Sequence, residues 1–315
     1  MKAVRVALVT ALAGALALGS TGCALPTRES RAHTEPVTVN HAFGTTTITG
    51  TPHRVIALGD RWLDSIAALR VTPIGRLMPR PDEPSPWASD SVGSATSLDP
   101  TGNLVGQIAA LHPDLILLDE VSADRKTYDE LAGVAPTMPA DQRADASWRD
   151  RISTLGKLLR RVEEADQFVA DVDAKIATAA AANPRLTGKT YAAAWLAGDE
   201  QLIVHTQPST ACGELFTRLG LRVPDTLAAL PATRGHVVLP PERIDELGAD
   251  VLLAGYSPGF DEKYRLLSGY ADLPATKTGA VVFLTTTEFA ALEQPTALSI
   301  RYLLDKLAPV LSRVR

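Results

Sequence analysis

The stretch SWRDRISTLGKLLRRVEEADQFVADVDAKIATAAAA, residues 147–182, carries apolar side chains at Ile152, Leu155, Leu158, Leu159, Val162, Ala165, Phe168, Val169, Val172 and Ile176. Steps of three and four persist throughout, which predicts one continuous amphipathic helix. Ser147 with Asp150 reads as a capping-box start, and Asn183-Pro184 as a stop. At 1.5 Å per residue this helix would be roughly 50 Å long, more than one small lobe is wide. It is therefore expected to bridge two lobes.

On both sides of it, short β-branched runs alternate with helical patterns. Before it come a strand at Arg54–Leu58, a helix at Trp62–Leu69 and a short strand at Val71–Gly75. A Pro-rich loop then runs from Arg76 to about Pro100, followed by a helix at Leu104–Leu111, a strand at Asp114–Leu118 and a helix at Arg125–Ala132. After it come strands at Thr190–Trp195, Gln201–His205, Val251–Ala254 and Val281–Leu284. The helices on that side are Cys212–Leu219, Glu242–Leu247 and Thr296–Leu307. Such alternation predicts an α/β fold with parallel pairing and covered sheets. The boundaries are 37–145 for an N-terminal α/β lobe, 146–184 for the bridging helix and 185–315 for a C-terminal α/β lobe. Both lobes are open, with a ligand cleft between them.

An internal echo supports two related lobes. Ile108-Ala-Ala-Leu111-His-Pro-Asp114-Leu-Ile-Leu-Leu118 lines up with Ile244-Asp-Glu-Leu247-Gly-Ala-Asp250-Val-Leu-Leu-Ala254. In each a helix ends in Leu, a two-residue turn follows, and an Asp opens an apolar strand. A single rigid connecting helix favours a small adjustment between lobes over wide hinge closure.

The ends and totals set the compartment. Lys2 and Arg5 precede an apolar run from Val6 to Leu18 and a small-residue exit to Cys23, which reads as a secretory leader over residues 1–22. The run is about a dozen residues, short of the ~20 of a spanning helix. After Ser20-Thr21-Gly22, Cys23 resembles the acylated cysteine of a bacterial lipoprotein box; lipidated and followed by a polar, aperiodic tether over 23–36, it would leave the protein on the outer face of the cytoplasmic membrane, the alternative being a secreted protein cut near Ala24. Of two cysteines, Cys212 then has no partner in the chain, so no disulfide framework is expected and stability must come from the core. Losing two of the 31 basic side chains with the leader leaves 29 against 36 acidic ones. That balance speaks against nucleic acid as a partner.

Motifs for catalysis are missing. There is no Walker loop, G-x-G-x-x-G, G-x-S-x-G, C-x-x-C or H-E-x-x-H. The six histidines stand singly in the sequence, with His205 and His236 nearest to cleft positions, so neither a resident metal nor a cofactor is expected. Binding is favoured over enzymatic activity.

Several pieces in order resemble the iron-siderophore family of periplasmic-type binding proteins, relatives of the haem and cobalamin binders. They are Val39-Asn-His41-Ala-Phe-Gly44, Pro52-His-Arg54-Val-Ile-Ala-Leu, Leu69-Arg-Val-Thr-Pro73-Ile-Gly75, Ile108–Ile116 and Leu131-Ala-Gly-Val-Ala-Pro136-Thr137. Pro241-Glu242-Arg-Ile, Ala249-Asp250-Val-Leu-Leu, Leu273-Pro-Ala and Pro295-Thr-Ala-Leu-Ser299 continue the series. The resemblance implies a monomer that captures a ferric siderophore and hands it to an ABC permease. Haem, cobalamin, or a sensor role on the same fold are the alternatives. It also implies permease docking through one glutamate on top of each lobe. In the C-terminal lobe this is Glu242; the N-terminal counterpart falls on Gly106, which carries no charge, beside Gln107.

Ligands of open α/β sheets collect beyond the carboxyl ends of strands. Candidate wall residues there are Arg61, Trp62, Arg76, Met78, Arg80, Trp87 and Glu120 in one lobe. In the other they are Trp195, Arg234, Tyr256 and Phe289. Guanidinium forks and aromatic faces suit an anionic, oxygen-rich chelate.

Overall fold

The computed structural model describes residues 35–78, 85–87, 93–119, 124–141, 147–198, 200–207 and 211–314. The leader, Cys23 and nearly all of the tether, as well as Arg80 and Glu120, lie outside the described residues.

A hairpin of β1 (Val37–His41) and β2 (Gly44–Ile48) leads into the N-terminal lobe. There β3 (Val55–Leu58), β4 (Gly75–Leu77), β5 (Thr96–Ser97), β6 (Leu115–Leu118) and β7 (Thr137–Pro139) form a parallel sheet in the order β5-β4-β3-β6-β7. Helices α1 (Asp60–Ala68), α2 (Leu104–Ala110) and α3 (Arg125–Ala132) lie in the crossovers. Every residue of β3 and β6 is buried, as a sheet covered on both faces requires. Alternate residues serve different cores. Ile56, Leu58, Ile116 and Leu118 pack with Ile108 of α2 and with Tyr128 and Leu131 of α3. Val55, Ala57, Leu115 and Leu117 join Trp62 and Ile66 in a larger core that continues through the second lobe. Full burial of each large aliphatic side chain contributes about 1.5–3 kcal/mol.

The stretch expected as one helix is two, α4 (Trp148–Leu158) and α5 (Val162–Ala182). The expected capping box of Ser147 and Asp150 does start α4. The break has a local cause. Arg160 adopts a left-handed conformation, φ 56°. Arg161 N–H donates to the Gly156 carbonyl at 2.8 Å, and Arg160 N–H to that of Lys157 at 3.2 Å. This is a Schellman ending with arginine where glycine is usual. At Gly156 a Cβ would lie 2.5 Å from the Ala165 Cβ, so the two helices pack backbone against side chain there. The long helix is thus the 21-residue α5, about 31 Å. Arg161 Nη1 ties its start to the Leu69 carbonyl of the N-terminal lobe at 2.8 Å. Further along, Asp173 accepts from Arg149 at 2.6 Å and Arg218 at 2.5 Å, and Lys175 pairs with Asp305 at 2.7 Å.

The C-terminal lobe contains β8 (Tyr191–Ala197), β9 (Gln201–His205), α6 (Ala211–Arg218), α7 (Asp225–Ala228), β10 (His236–Leu239) and a 3₁₀ segment, Pro241–Leu247. It closes with β11 (Val251–Tyr256), α8 (Asp261–Leu266), α9 (Pro274–Thr278), β12 (Val281–Leu284), α10 (Thr286–Glu293) and α11 (Ala297–Leu311). The sheet order is β10-β9-β8-β11-β12. Parallel pairing holds for β8, β11 and β12 but not for β9 and β10, which are antiparallel. The cause is length: residues 198–200 join β8 to β9, far too few for a parallel crossover.

The internal echo is structural. Asp114, leading into β6, accepts from the backbone N–H groups of His53 and Arg54 at 2.7 and 2.8 Å. Asp250, leading into β11, accepts from Thr190 N–H at 2.8 Å. In both lobes a carboxylate before one central strand holds the lead-in of its parallel neighbour.

Candidate functional site

In the N-terminal sheet the neighbouring strands β3 and β6 end side by side. After Leu58 the chain turns at Gly59, φ 105°, where a Cβ would come within 2.3 Å of Asp119 Oδ2. Only glycine permits this approach. The turn delivers Asp60 and Arg61 at the start of α1, and the end of β6 delivers Asp119. Arg61 Nη2 and Asp119 Oδ1 lie 2.6 Å apart, with both side chains nearly buried.

One turn along α1, Asp64 Oδ2 accepts from the Thr296 hydroxyl of the opposite lobe at 2.6 Å and from the Trp87 indole N–H at 2.7 Å. Burial pushes its carboxyl up to about 7, outweighing those two hydrogen bonds, which lower it. Between the lobes a cleft of ≈ 280 Å³ opens over these groups. Asp60, Arg61, Asp64, Trp87 and Asp119 line one side. Residues along α10 and at the entry of α11, including Thr287, Ala290, Glu293, Gln294 and Thr296, line the other. Among the described residues this lining has four carboxyl groups and one guanidinium.

Behind Glu293 lies an aromatic group. The rings of His205 and His236 meet edge to face at 4.4 Å, and His205 and Trp195 each lie against Phe289, at 5.4 and 5.3 Å. Both imidazoles are 3.3 Å from Glu293 Oε1. His205, ahead of the opposing effect of burial, helps hold the Glu293 carboxyl below its usual range. The two histidines, single in sequence, are cross-strand partners of β9 and β10.

Of the sequence-derived wall residues, Arg61 and Trp87 line the cleft. Trp62 does not: it is 1% exposed, donates its indole N–H to the Leu118 carbonyl at 3.1 Å, and belongs to the core. Its place one residue after Arg61 turns it to another face of α1. Arg76 sits half-buried on β4 with Nη1 2.7 Å from Met78 Sδ. Trp195 and Tyr256 are half-buried near the ends of β8 and β11, and Phe289 is 2% exposed beneath Gly255, whose added Cβ would strike both Phe289 and Trp195. Arg234 is exposed at the tip of the turn into β10. Glu242 is exposed in the first turn of the 3₁₀ segment, and Gly106 is exposed on α2. The sequence reading missed Asp64, Asp119, Glu293 and Thr296. Asp64 alone offered a signal, a carboxylate on the apolar side of a short helix. A larger cavity of ≈ 680 Å³ lies beside β1, β7 and α4 and shares none of this cleft's lining residues.

Two open sheets facing one polar cleft, backed by a long helix, form the scaffold of a solute-binding protein. The chain belongs to the periplasmic binding protein family, whose model matches residues 81–287. It is 27% identical over 193 residues to the probable siderophore-binding lipoprotein YfiY of Bacillus subtilis, covering 60% of this chain and 58% of that one. To the Fe(3+) dicitrate-binding periplasmic protein FecB of Escherichia coli it is 28% identical, covering 62% and 65%. The chain therefore matches less than two thirds of the length of these two relatives. Among solved structures, a periplasmic solute binding protein from Mycobacterium smegmatis is 29% identical, with TM-score 0.73 over 89% of this chain and 98% of that one. Staphylococcus aureus SirA, solved with staphyloferrin B, shares the fold at 22% identity and TM-score 0.69, over 87% and 98%.

Proposed function

We propose that this protein captures a ferric siderophore in the inter-lobe cleft and delivers it to an ABC importer, without catalysing a reaction. The observation that carries this reading is the cleft itself: strand ends from one lobe and helix ends from the other converge on one polar, aromatic-edged space. The names of the relatives support the cargo. The wall refines it. With Asp119 paired to Arg61, the Asp60 and Glu293 carboxylates favour an uncharged or cationic ferric hydroxamate by Coulomb's law over a polyanionic catecholate or citrate complex.

Cys23 is proposed as the lipid anchor on the outer face of the cytoplasmic membrane, with Glu242 as the contact to the permease. No helix among the described residues is long and apolar enough to cross a membrane. The test is uptake of radioactive iron supplied as a ferric hydroxamate, measured in cells lacking this protein. Loss of uptake, restored by the full chain, is the expected result. Unchanged uptake of every ferric chelate would leave a sensor role on this fold instead.

A further inference from the structure

We propose that His205, His236 and Glu293 form a three-ligand site for a first-row transition-metal ion at the C-terminal wall of the cleft. The potential ligand atoms all lie within 4.8 Å of one another. Glu293 Oε1 is 3.3 Å from Nε2 of each histidine. Metal–ligand bonds of about 2.0–2.1 Å in a tetrahedral arrangement separate neighbouring ligand atoms by about 3.3–3.4 Å. Two edges of one face of such a tetrahedron, those from Glu293 to each histidine, already have this spacing, the third lies within 4.8 Å, and the fourth position is open to a cargo or to water.

The hydrogen bonding around the histidines points the same way. His236 Nδ1 is 2.9 Å from the Arg234 carbonyl, which only accepts, so Nδ1 carries the proton. In a neutral ring the lone pair is then on Nε2, and it faces the Glu293 carboxylate. A lone pair against a carboxylate is repulsive unless a cation lies between them or the ring is doubly protonated. A backbone carbonyl holding the far nitrogen of a metal-binding histidine is the usual outer-shell arrangement. His205 adds an independent observation. It is 3% exposed, its Nδ1 has no hydrogen-bond partner among the described residues, and its Nε2 meets Glu293 Oε1 at 3.3 Å without an aligned hydrogen bond. A metal ion held between that nitrogen and the carboxylate would replace this poor contact with two bonds.

The fold builds the site at some local cost. Thr233 and His236 exchange backbone hydrogen bonds at 2.8 and 3.1 Å across Arg234 and Gly235, both of which have positive φ, 51° and 84°. A non-glycine residue in that region is strained. The tight turn sets His236 opposite His205 in register. Glu293, at the carboxyl end of α10 where the helix dipole favours cations, lines the cleft with its side chain 42% exposed, which gives an entry path.

The ion has two sources with the same coordination chemistry: a free divalent cation, or the iron of a chelate that leaves positions unfilled. Cobalt(II) tests the site without any siderophore, so its outcome is independent of the cargo proposed above. The metal-free protein titrated with Co²⁺ is expected to develop saturable visible d–d absorption of tetrahedral intensity. Glu293→Gln and His236→Asn, both conservative and at partly exposed positions, should weaken it by about 10–100-fold or more. Absence of a saturable spectrum in the wild type, or an unchanged one in both variants, overturns the proposal and leaves an imidazolium–carboxylate cluster. A second titration separates the sources. Iron as a chelate cargo is indicated if the ferric complex of a tridentate chelator, which leaves three positions for the protein, loses affinity in His236→Asn while a six-coordinate tris-hydroxamate does not. A free cation is indicated if only Co²⁺ binding responds.

Discussion

Asp64 of α1 and Thr296, 232 residues later at the start of α11, share a 2.6 Å hydrogen bond across the cleft. Thr296 is also the N-cap of α11, bonded reciprocally with Ser299, and Trp87 binds the same Asp64 oxygen. One buried carboxyl thus joins a helix of the first lobe, a loop beside the cleft and the entry of the last helix.

That carboxyl makes stability depend on pH with a definite sign. Its ordinary value is 3.8 and its folded value about 7, so between these the folded state holds a proton that the unfolded chain does not. Stability from this group is therefore greatest at low pH and is lost as pH rises through that window. The loss is on the order of 4 kcal/mol at most. Urea unfolding at pH 5 and pH 8 checks it: Asp64→Asn should flatten the difference, and an equal pH dependence in the variant would exclude Asp64 as its source.

Glu288 is 2% exposed and accepts from Lys306 at 2.5 Å and from the Tyr302 hydroxyl at 2.6 Å. Burial would raise its carboxyl, but Lys306, Tyr302 and the Thr285 N–H together hold it below the usual range. Lys306→Met removes the partner and leaves a buried charge, so a loss of about 3–5 kcal/mol is expected. Adding Glu288→Gln should recover a large part of it, as read by thermal or urea denaturation. Additive losses would contradict this account.

Gly255 lies under the aromatic wall, where a Cβ would be 2.4 Å from Phe289 and 2.5 Å from Trp195. Gly255→Ala should push both rings, costing about 1–3 kcal/mol. Because Phe289 packs on His205, the shift should also change Trp195 emission and weaken ligand affinity. Unchanged fluorescence and stability would show that the wall gives way freely.

Gly106 occupies the third position of α2, its N–H accepted by the capping Asn103 side chain at 2.9 Å. An added Cβ would meet the movable end of that side chain, and a carboxylate in a first helical turn is favourable. Gly106→Glu is therefore expected to change stability by less than about 1 kcal/mol. With the permease in vesicles it should raise ATPase stimulation, whereas Glu242→Ala should lower it. No response to either change would argue against docking through these faces.

Much of the scaffold was legible because its strands are short apolar runs and its helices keep regular spacing. Arg125–Ala132 falls as expected, and Asp114 and Asp250 reveal the related lobes. The break at Arg160 was hidden because the turn keeps Leu158, Leu159 and Ala165 in one core, leaving the apolar spacing intact. β10 escaped notice because an edge strand with Val238 exposed lacks a clear alternation. The site was harder to read. Arg61 follows from a strand end and Trp87 from its place in a Pro-rich loop, whereas the Asp64–Thr296 tie and the meeting of His205, His236 and Glu293 depend on contacts between distant segments. Such contacts leave no local pattern.

The central claim is capture of a ferric chelate between the lobes, and tryptophan fluorescence of the tether-free protein tests it most directly. Ferric hydroxamate, ferric catecholate, ferric citrate, haem and cobalamin are titrated in turn, with Trp87→Phe as the reporter variant. The account predicts saturable quenching at micromolar concentration or below by a ferric hydroxamate, with a smaller amplitude in Trp87→Phe because Trp87 lines the cleft. Saturation by haem or cobalamin alone, or no quenching by any of the five, would contradict it.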